Sequence, residues 1–394
     1  MVAASIRLTG DFDLGEECAQ EAFSQAVAQW PSSGVPARPG AWLTTVARRR
    51  AIDVLRRQTT QRRLLASLVE PSADAPDDGH AEIPDDRLRL VFTCCHPALA
   101  PDAQVALTLR LLCGLTTAEV ARAFLVSEST MAARITRAKK KIKTSHIPYR
   151  IPTDEDLPAR VLAVLAVVYL VFTTGHTAPI GADLMRRDLV DRAKGLARML
   201  RDLLPEDPEV AGLLALIVLT DARRESRTGL DGELLLLSDQ DRTQWDATAI
   251  EEGAALVRLA LRVRPAGRFS LMAAIAALHS QAPSWDATEW TEIARLYELL
   301  FAAWPSPVVA LNRAVAVGFA VGPAQGLAAL DLVASDPTLA TYGYLASARA
   351  GFLVRLDRRD EARAAYEAAL ALCENDVERD FLTRRLTALD GAAR

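Results

Sequence analysis

Ser129, Thr130, Ala133, Arg134 and Arg137 fall on one face of a segment that ends in Lys139, Lys140, Lys141 and Lys143. Small and cationic side chains at the start of a helix can enter a DNA major groove and reach base edges, and clustered lysines can hold phosphates. That chemistry needs a helix pair to present it, and LTTAEVARAFLVSESTMAARITRAKKKIK (115–143) predicts one. Thr116 with Glu119 reads as a capping box, in which each side chain satisfies a backbone donor of the helix start. Val120, Ala121 and Phe124 then form an apolar face, Leu125-Val126 supplies the turn, and Ser127 caps a second helix. Met131, Ile135, Ala138 and Ile142, spaced by four, three and four, bury one stripe of it. Taken alone, the pattern also fits an ordinary helical pair with a solvated basic end.

Other residues look chemical and are read as structural. Cys94-Cys95-His96 suggests a metal site, but adjacent cysteines cannot easily aim both thiolates at one tetrahedral centre, and no second ligand pair follows. A buried helix end is expected there, with no metal. Asp239, Asp241 and Asp246 beside Arg242 and Trp245 could pass for hydrolytic carboxylates, yet closeness in sequence says nothing of separation in space. His176 and His279 lie in apolar helical surroundings without a nucleophile motif. No glycine-rich phosphate loop, GxSxG or HExxH occurs. No catalytic residue and no cofactor is expected.

The net charge of −4 hides a strong pattern. Pro31 to Leu64 holds eight arginines and one acid, Asp53, and Arg110 to Lys143 holds eight basic residues against Glu119 and Glu128. Between them, Glu70 to Asp86 carries seven acids and no Lys or Arg. Two basic blocks flanking an acidic stretch suit a molecule that grips a polyanion at two points. Five cysteines, two of them adjacent, make no disulfide framework, and no signal peptide opens the chain. The longest apolar run, Val161 to Phe172, has 12 residues and reads as a buried helix rather than a membrane span. A cytoplasmic, membrane-free setting is expected.

Positioning these residues falls to an all-α chain. Leu14 to Trp30 reads as one amphipathic helix, Pro31 to Gly40 as a loop, and Trp42 to Arg57 as a second helix. Residues 66–84, rich in Pro, Asp and Ala, read as an acidic flexible linker. Helices resume near Asp85 and run to Lys143. The expected divisions are 1–65, the linker 66–84, 85–147, a helical extension 154–265 and helical repeats 266–394. In the last of these, Arg313-Ala314 aligns with Arg349-Ala350 and Ala329-Leu330 with Ala365-Tyr366, an offset of 36. RLDRRDEARAAYEAALAL (355–372) is similar to the tetratricopeptide pattern, whose helix pairs must stack to bury their faces. Leu271–His279 with Trp290–Ala303 fits that scheme less well, and 377–389 suits a terminal capping helix.

In this order the features resemble a bacterial RNA polymerase sigma factor of the extracytoplasmic-function (ECF) class, in the group with a long tetratricopeptide-like extension. GDFDLGEECAQEAFSQAVAQW (10–30) resembles sigma regions 2.1–2.2, AWLTTVARRRAIDVLRRQ (41–58) regions 2.3–2.4, and 115–143 region 4.2. DRLRLVFTCCHPAL (86–99), LTDARRESR (219–227), LLLLSDQDRTQWD (234–246) and PSPVVALNRAV (305–315) are similar to the extended group.

The resemblance implies docking of Glu17, Gln20, Glu21 and Phe23 on the β′ clamp helices of core RNA polymerase. It also implies an engagement of the β flap, and an acidic linker that runs toward the active-site and RNA-exit channels. Trp42, Arg48, Arg49, Arg56 and Arg57 would serve the −10 promoter element. An i, i+4 ion-pair ladder through Arg49, Asp53 and Arg57 is the rival use of those three. Ser129, Thr130, Ala133, Arg134 and Arg137 would contact the −35 element, with Lys139, Lys140 and Lys141 on phosphates. The repeat half would regulate, through a protein partner or by packing on the sigma domains. Family members have a longer helix before the GDFDL segment, so the chain reads as shortened or started late at its N-terminus. Two other functions fit parts of the sequence: a helix-turn-helix regulator acting without polymerase, and a hydrolase built on the second half.

Overall fold

In the computed structural model the backbone is described for residues 1–66, 83–124, 126–178, 180–229 and 231–391. Most of the expected linker, 67–82, lies outside the described residues, as does Leu125 of the expected turn. The chain divides into two compact units, Met1–Val167 and Val168–Arg394. Among the described residues it is all-α apart from one two-residue ladder and an isolated bridge between Thr228 and Leu234.

The first unit contains α1 (Val2–Thr9), α2 (Phe12–Ser33), α3 (Pro39–Ala66), α4 (Ile83–Cys94), α5 (Pro101–Leu111), α6 (Thr117–Ala123) and α7 (Glu128–Thr144). Helix α1 stops at Gly10, whose left-handed φ of 64° lets its N–H return to the Ile6 carbonyl at 2.8 Å. Asp11 then caps α2 by accepting from the N–H groups of Asp13 and Leu14. Gly15 faces Ile6 so closely that an added Cβ would meet the Ile6 nitrogen at 2.9 Å. Cys18, Ala19, Ala22 and Ala26 of α2 and Ala47 and Ala51 of α3 are buried, so small residues set the helix separation here.

Both helices are longer than their periodicity predicts, and the expected loop Pro31–Gly40 shrinks to 34–38. Pro31 does not end α2, because the Ser32 and Ser33 hydroxyls donate to the Gln29 carbonyl (2.9 and 2.8 Å) and the Gly34 N–H donates to Trp30. Pro39 opens α3, where its missing N–H costs nothing. Leu90, Phe92, Leu107, Leu109 and Met131 form the core beneath α4–α7. Asp86, almost fully buried, pairs with Arg7 of α1 at 2.9 Å, and the Tyr149 hydroxyl donates to the Ala3 carbonyl at 2.9 Å.

Helix α8 (Leu157–His176) contains the division between the units. It is 20 residues long, more than the 12 of the apolar run, and by length and composition alone is long and apolar enough to cross a membrane. The helix outlasts the run at both ends, through Leu157–Arg160 and Thr173–His176, with Arg160 as the one Lys, Arg, Asp or Glu in it. Val161, Val164, Leu165, Val168, Val171 and Phe172 are nevertheless buried within the protein.

The second unit continues with β1 (Ile180–Gly181), α9 (Arg187–Leu203), α10 (Pro208–Asp221), α11 (Ala247–Ala260), α12 (Arg268–Gln281), α13 (Trp290–Ala303), α14 (Pro307–Ala320), α15 (Pro323–Val333), α16 (Gly343–Arg355), α17 (Arg359–Ala371), β2 (Glu374–Asn375) and α18 (Asp376–Gly391). Every residue of α10 from Val210 to Leu219 is buried, which makes it the central helix among α9, α11 and α12. From α12 onward each helix packs on the next. The starts of α14 and α15 recur 36 residues later as those of α16 and α17. Gly318 and Gly326 let α14 and α15 approach, and an added Cβ on Gly326 would sit 2.5 Å from the Gly318 Cα. Strands β1 and β2 pair in parallel, joining the two ends of the unit. Buried Asn375 secures the join: its Nδ2 donates to the Ala178 and Asp183 carbonyls, and its Oδ1 accepts from the Val377 and Glu378 N–H groups.

Candidate nucleic-acid interface

The helix pair forms as its sequence predicts. Thr116 and Glu119 make the reciprocal capping box, with the Glu119 carboxylate 2.6 Å from the Thr116 nitrogen. The Ser127 hydroxyl accepts from the Thr130 N–H at 3.2 Å and lies 3.0 and 2.8 Å from the Ser129 and Thr130 hydroxyls. Met131, Ile135, Ala138 and Ile142 are all buried, against Val120 and Ala121 among others.

The opposite face of α7 is open. Ser129, Thr130, Ala133, Arg137, Lys140 and Lys141 are exposed. Arg134 is partly spent: its guanidinium lies 3.3 Å from Asp102 and 5.3 Å from the centre of the Phe124 ring. Lys139 points elsewhere. Only 13% of its side chain is exposed, and its ammonium reaches Asp13 at 2.7 Å and Glu16 of α2. Burial alone would lower its pKa, but the bonds to Asp13 and Glu16 outweigh this and hold it above the ordinary lysine value. Arg110 of α5 joins Glu16 at 2.9 Å, and Lys143 reaches Asp11 at 3.1 Å. The lysine cluster is therefore divided: Lys140 and Lys141 stand beside Arg137, while Lys139 and Lys143, one turn apart, face the acidic start of α2. Sequence reading missed this because the partners lie more than 120 positions away.

On α3, Arg48, Arg49, Arg56 and Arg57 are exposed. Trp42, in its first turn, is half-buried and meets Trp30 edge-on at 5.5 Å. No ion pair among the described residues links Arg49, Asp53 and Arg57, whereas Arg50 lies 4.0 Å from Glu17. On α2, Glu17, Gln20 and Phe23 are exposed and Glu21 is half-buried, accepting from Gln25 at 3.3 Å. Phe23 is 53% exposed and Val27, one turn on, 77%. Val27 extends the apolar patch and was legible from its i+4 spacing.

Regions 2 and 4 of the sigma-70 family match residues 2–61 and 89–142, and a family of unknown function, DUF6596, matches 160–261. The ECF RNA polymerase sigma factor SigJ of Mycobacterium tuberculosis is 30% identical over 177 residues, 42% of this chain and 55% of SigJ. The chain belongs to the sigma-70 family, ECF class. A probable ECF sigma factor, SigI, also of M. tuberculosis, is 26% identical over 37% of this chain and 52% of its own length. The chain thus spans about half the length of these two relatives. An uncharacterized protein of Rhizobium meliloti, R00370, is 41% identical over 98% of this chain and 93% of its own, so the likeness runs through nearly the whole of both sequences. No solved structure matches the chain.

Of the remaining chemical-looking residues in this sigma factor, the three aspartates have structural duties. Asp241 and Asp246 cap helical turns, and Asp239 accepts from Ser238 and lies 3.8 Å from Arg385. Cys94 and Cys95 are fully buried, and burial pushes both thiols up, Cys95 to about 12. His176 stacks on Phe172 and His279 meets Trp290 edge-on, and burial lowers both, His279 to about 4.

Proposed function

We propose that this cytoplasmic sigma factor binds core RNA polymerase, recognises two promoter elements and directs transcription initiation. The observation that carries the reading is the exposed Ser129–Lys141 face of a capped helix pair, in a chain that also bears a region 2 match with an apolar patch at Phe23 and Val27. Glu17, Gln20, Glu21 and Phe23 dock on the β′ clamp helices, where carboxylates ringing an aromatic anchor suit an arginine-bearing partner. The second domain, 85–147, engages the β flap. Ser129, Thr130, Ala133, Arg134 and Arg137 read the −35 element, and Lys140 and Lys141 neutralise phosphates, joined by Lys139 where a phosphate displaces its carboxylate partners Asp13 and Glu16.

Trp42, Arg48, Arg49, Arg56 and Arg57 hold the −10 element. Melting follows from differential binding, since unstacked bases gain contacts that duplex DNA withholds. Domain 1–65 acts in docking and melting, 66–84 as the linker, and 154–265 with the tetratricopeptide-like 266–394 as the regulatory part. The chain itself performs no covalent chemistry.

Run-off transcription with core polymerase tests this reading. The full chain is expected to direct initiation at defined start sites that core enzyme alone does not use. Promoter-specific gel shifts without core, and no change in start sites with it, would instead identify a free-standing helix-turn-helix regulator.

A further inference from the structure

Two stretches outside the sigma region 2 and region 4 matches, 219–227 and 234–246, meet in the second unit. Each contains a 3-10 turn, Arg224–Ser226 and Arg242–Gln244, and the turns pack together. The Asp246 N–H donates to the Ala222 carbonyl at 2.9 Å, and the Ser226 hydroxyl lies 3.4 Å from buried Gln240. Four arginines converge here with unequal partners. Arg224 is neutralised by Asp221 at 2.6 Å and Asp191 at 2.7 Å. Arg227 bonds the His176 carbonyl and lies 3.5 Å from the Thr177 hydroxyl, with Tyr344 and Glu378 in its surroundings.

Arg242 is fixed in place. Its Nη1 donates to the His279 and Ala282 carbonyls at 2.9 and 2.7 Å, and its guanidinium lies 4.5 Å from the centre of the Trp245 ring. Its Nη2 is buried without an acceptor, and Nδ1 of His279 is buried without a hydrogen-bond partner. Arg223 is the odd one: among the described residues its side chain has no hydrogen-bond or ion-pair partner, and solvent still reaches it. Burial, and after it the like charge of Arg242, push its pKa down to about 10. The same two arginines, after burial, keep His279 neutral.

Neighbouring guanidiniums with no carboxylate between them repel, and buried donors without acceptors are unfavourable. An anion relieves both. We propose that Arg223 and Arg242, with His279 beside them, form an oxyanion site that takes a phosphate group, free or as a phosphomonoester. Arg223 supplies the open donors, and Arg242, held by two carbonyls, supplies a fixed second positive charge. A phosphate dianion answers two like charges and accepts a guanidinium fork, which favours it over a singly charged carboxylate.

Calorimetric titration of the full chain, with ionic strength held constant by chloride, tests the site with inorganic phosphate and with phenyl phosphate as probes. Saturable binding of either probe is expected, tighter phenyl phosphate marking an ester as the ligand. Arg223→Gln should weaken binding at least about tenfold, a loss common when one partner of an enclosed charge pair is removed, and Arg223→Lys should weaken it less. The His279 imidazole resonances should shift on saturation. Absence of saturable binding, or equal affinity in Arg223→Gln, overturns the proposal. Should Arg223→Gln fail to fold, the unaltered chain decides: its melting temperature must rise in phosphate over chloride, and no rise overturns the proposal.

Discussion

Lys139 illustrates how a residue's type can be read from sequence while its engagement cannot. Its position in the basic run marks it for phosphates, yet in the folded chain its ammonium is shared by Asp13 and Glu16. Any polyanion must compete with those carboxylates. Asp13, 79% exposed, is the partner whose loss least disturbs packing. Asp13→Asn should raise the affinity of the isolated chain for promoter DNA by up to about fivefold, in line with the ~1 kcal/mol ceiling of exposed ion pairs. Fluorescence anisotropy at low salt measures this, and an unchanged affinity would show that Lys139 takes no part in DNA binding.

A second residue-scale expectation concerns His279, whose pKa is pushed down to about 4 by burial and then by Arg223 and Arg242. Unfolded, it would titrate near 6.5, so between these values the unfolded chain binds more protons than the folded one. Stability therefore falls as pH drops from about 6.5 toward 4. His279→Gln should flatten that part of the curve in chloride buffer, and identical pH profiles for both proteins would show that His279 contributes nothing. The helix caps at Thr116 and Ser127 were legible because capping depends on residues three apart; these longer-range pairings were not.

At the scale of elements, the apolar spacings located α2, α3, α6, α7, α8, α12 and α13 but did not single out α1 or α9–α11, and ends and separations followed rules that periodicity does not carry. Helix α2 passes Pro31 because two serine hydroxyls and the Gly34 N–H satisfy its final carbonyls. Helix α3 begins three residues before Trp42, at a proline suited to a first turn. The 36-residue offset seen in two dipeptide pairs became matching helix starts in α14–α17, since repeated spacing is a local property of the chain. Close approach was invisible in the sequence. Gly15 is an example, because only the folded pair α1–α2 brings the Ile6 backbone against it. Gly15→Ala should cost about 1–3 kcal/mol by overpacking and shift the helix that carries Phe23. Chemical denaturation would measure the loss, and binding to core polymerase should weaken with it. A variant as stable as the original would mean that α1 and α2 separate more easily than their contact implies.

At the scale of the whole molecule, charge placement sets the conditions of activity. The chain bears 46 basic and 50 acidic residues, so its net field repels DNA weakly, and attraction is confined to the exposed rows on α3 and α7. Some cations of those rows' neighbourhood are already paired, Lys139 and Lys143 with α2 and Arg134 with Asp102. What remains open on α7 is a small set, Arg137, Lys140 and Lys141. Each phosphate contact contributes about 0.9 to the slope of log affinity against log salt. A free chain using these three should thus show a shallow slope, near 3, and weak promoter binding at physiological salt. Core polymerase, by holding both DNA-facing helices at once, should raise promoter affinity far more than it changes that of α7 alone, because the second contact becomes intramolecular. Titrating a labelled promoter at several salt concentrations, with and without core enzyme, measures both quantities. Firm, core-independent binding with a steep slope would mean that cations beyond this open set contact phosphates, and that the closed pairing of α7 with α2 does not persist on DNA.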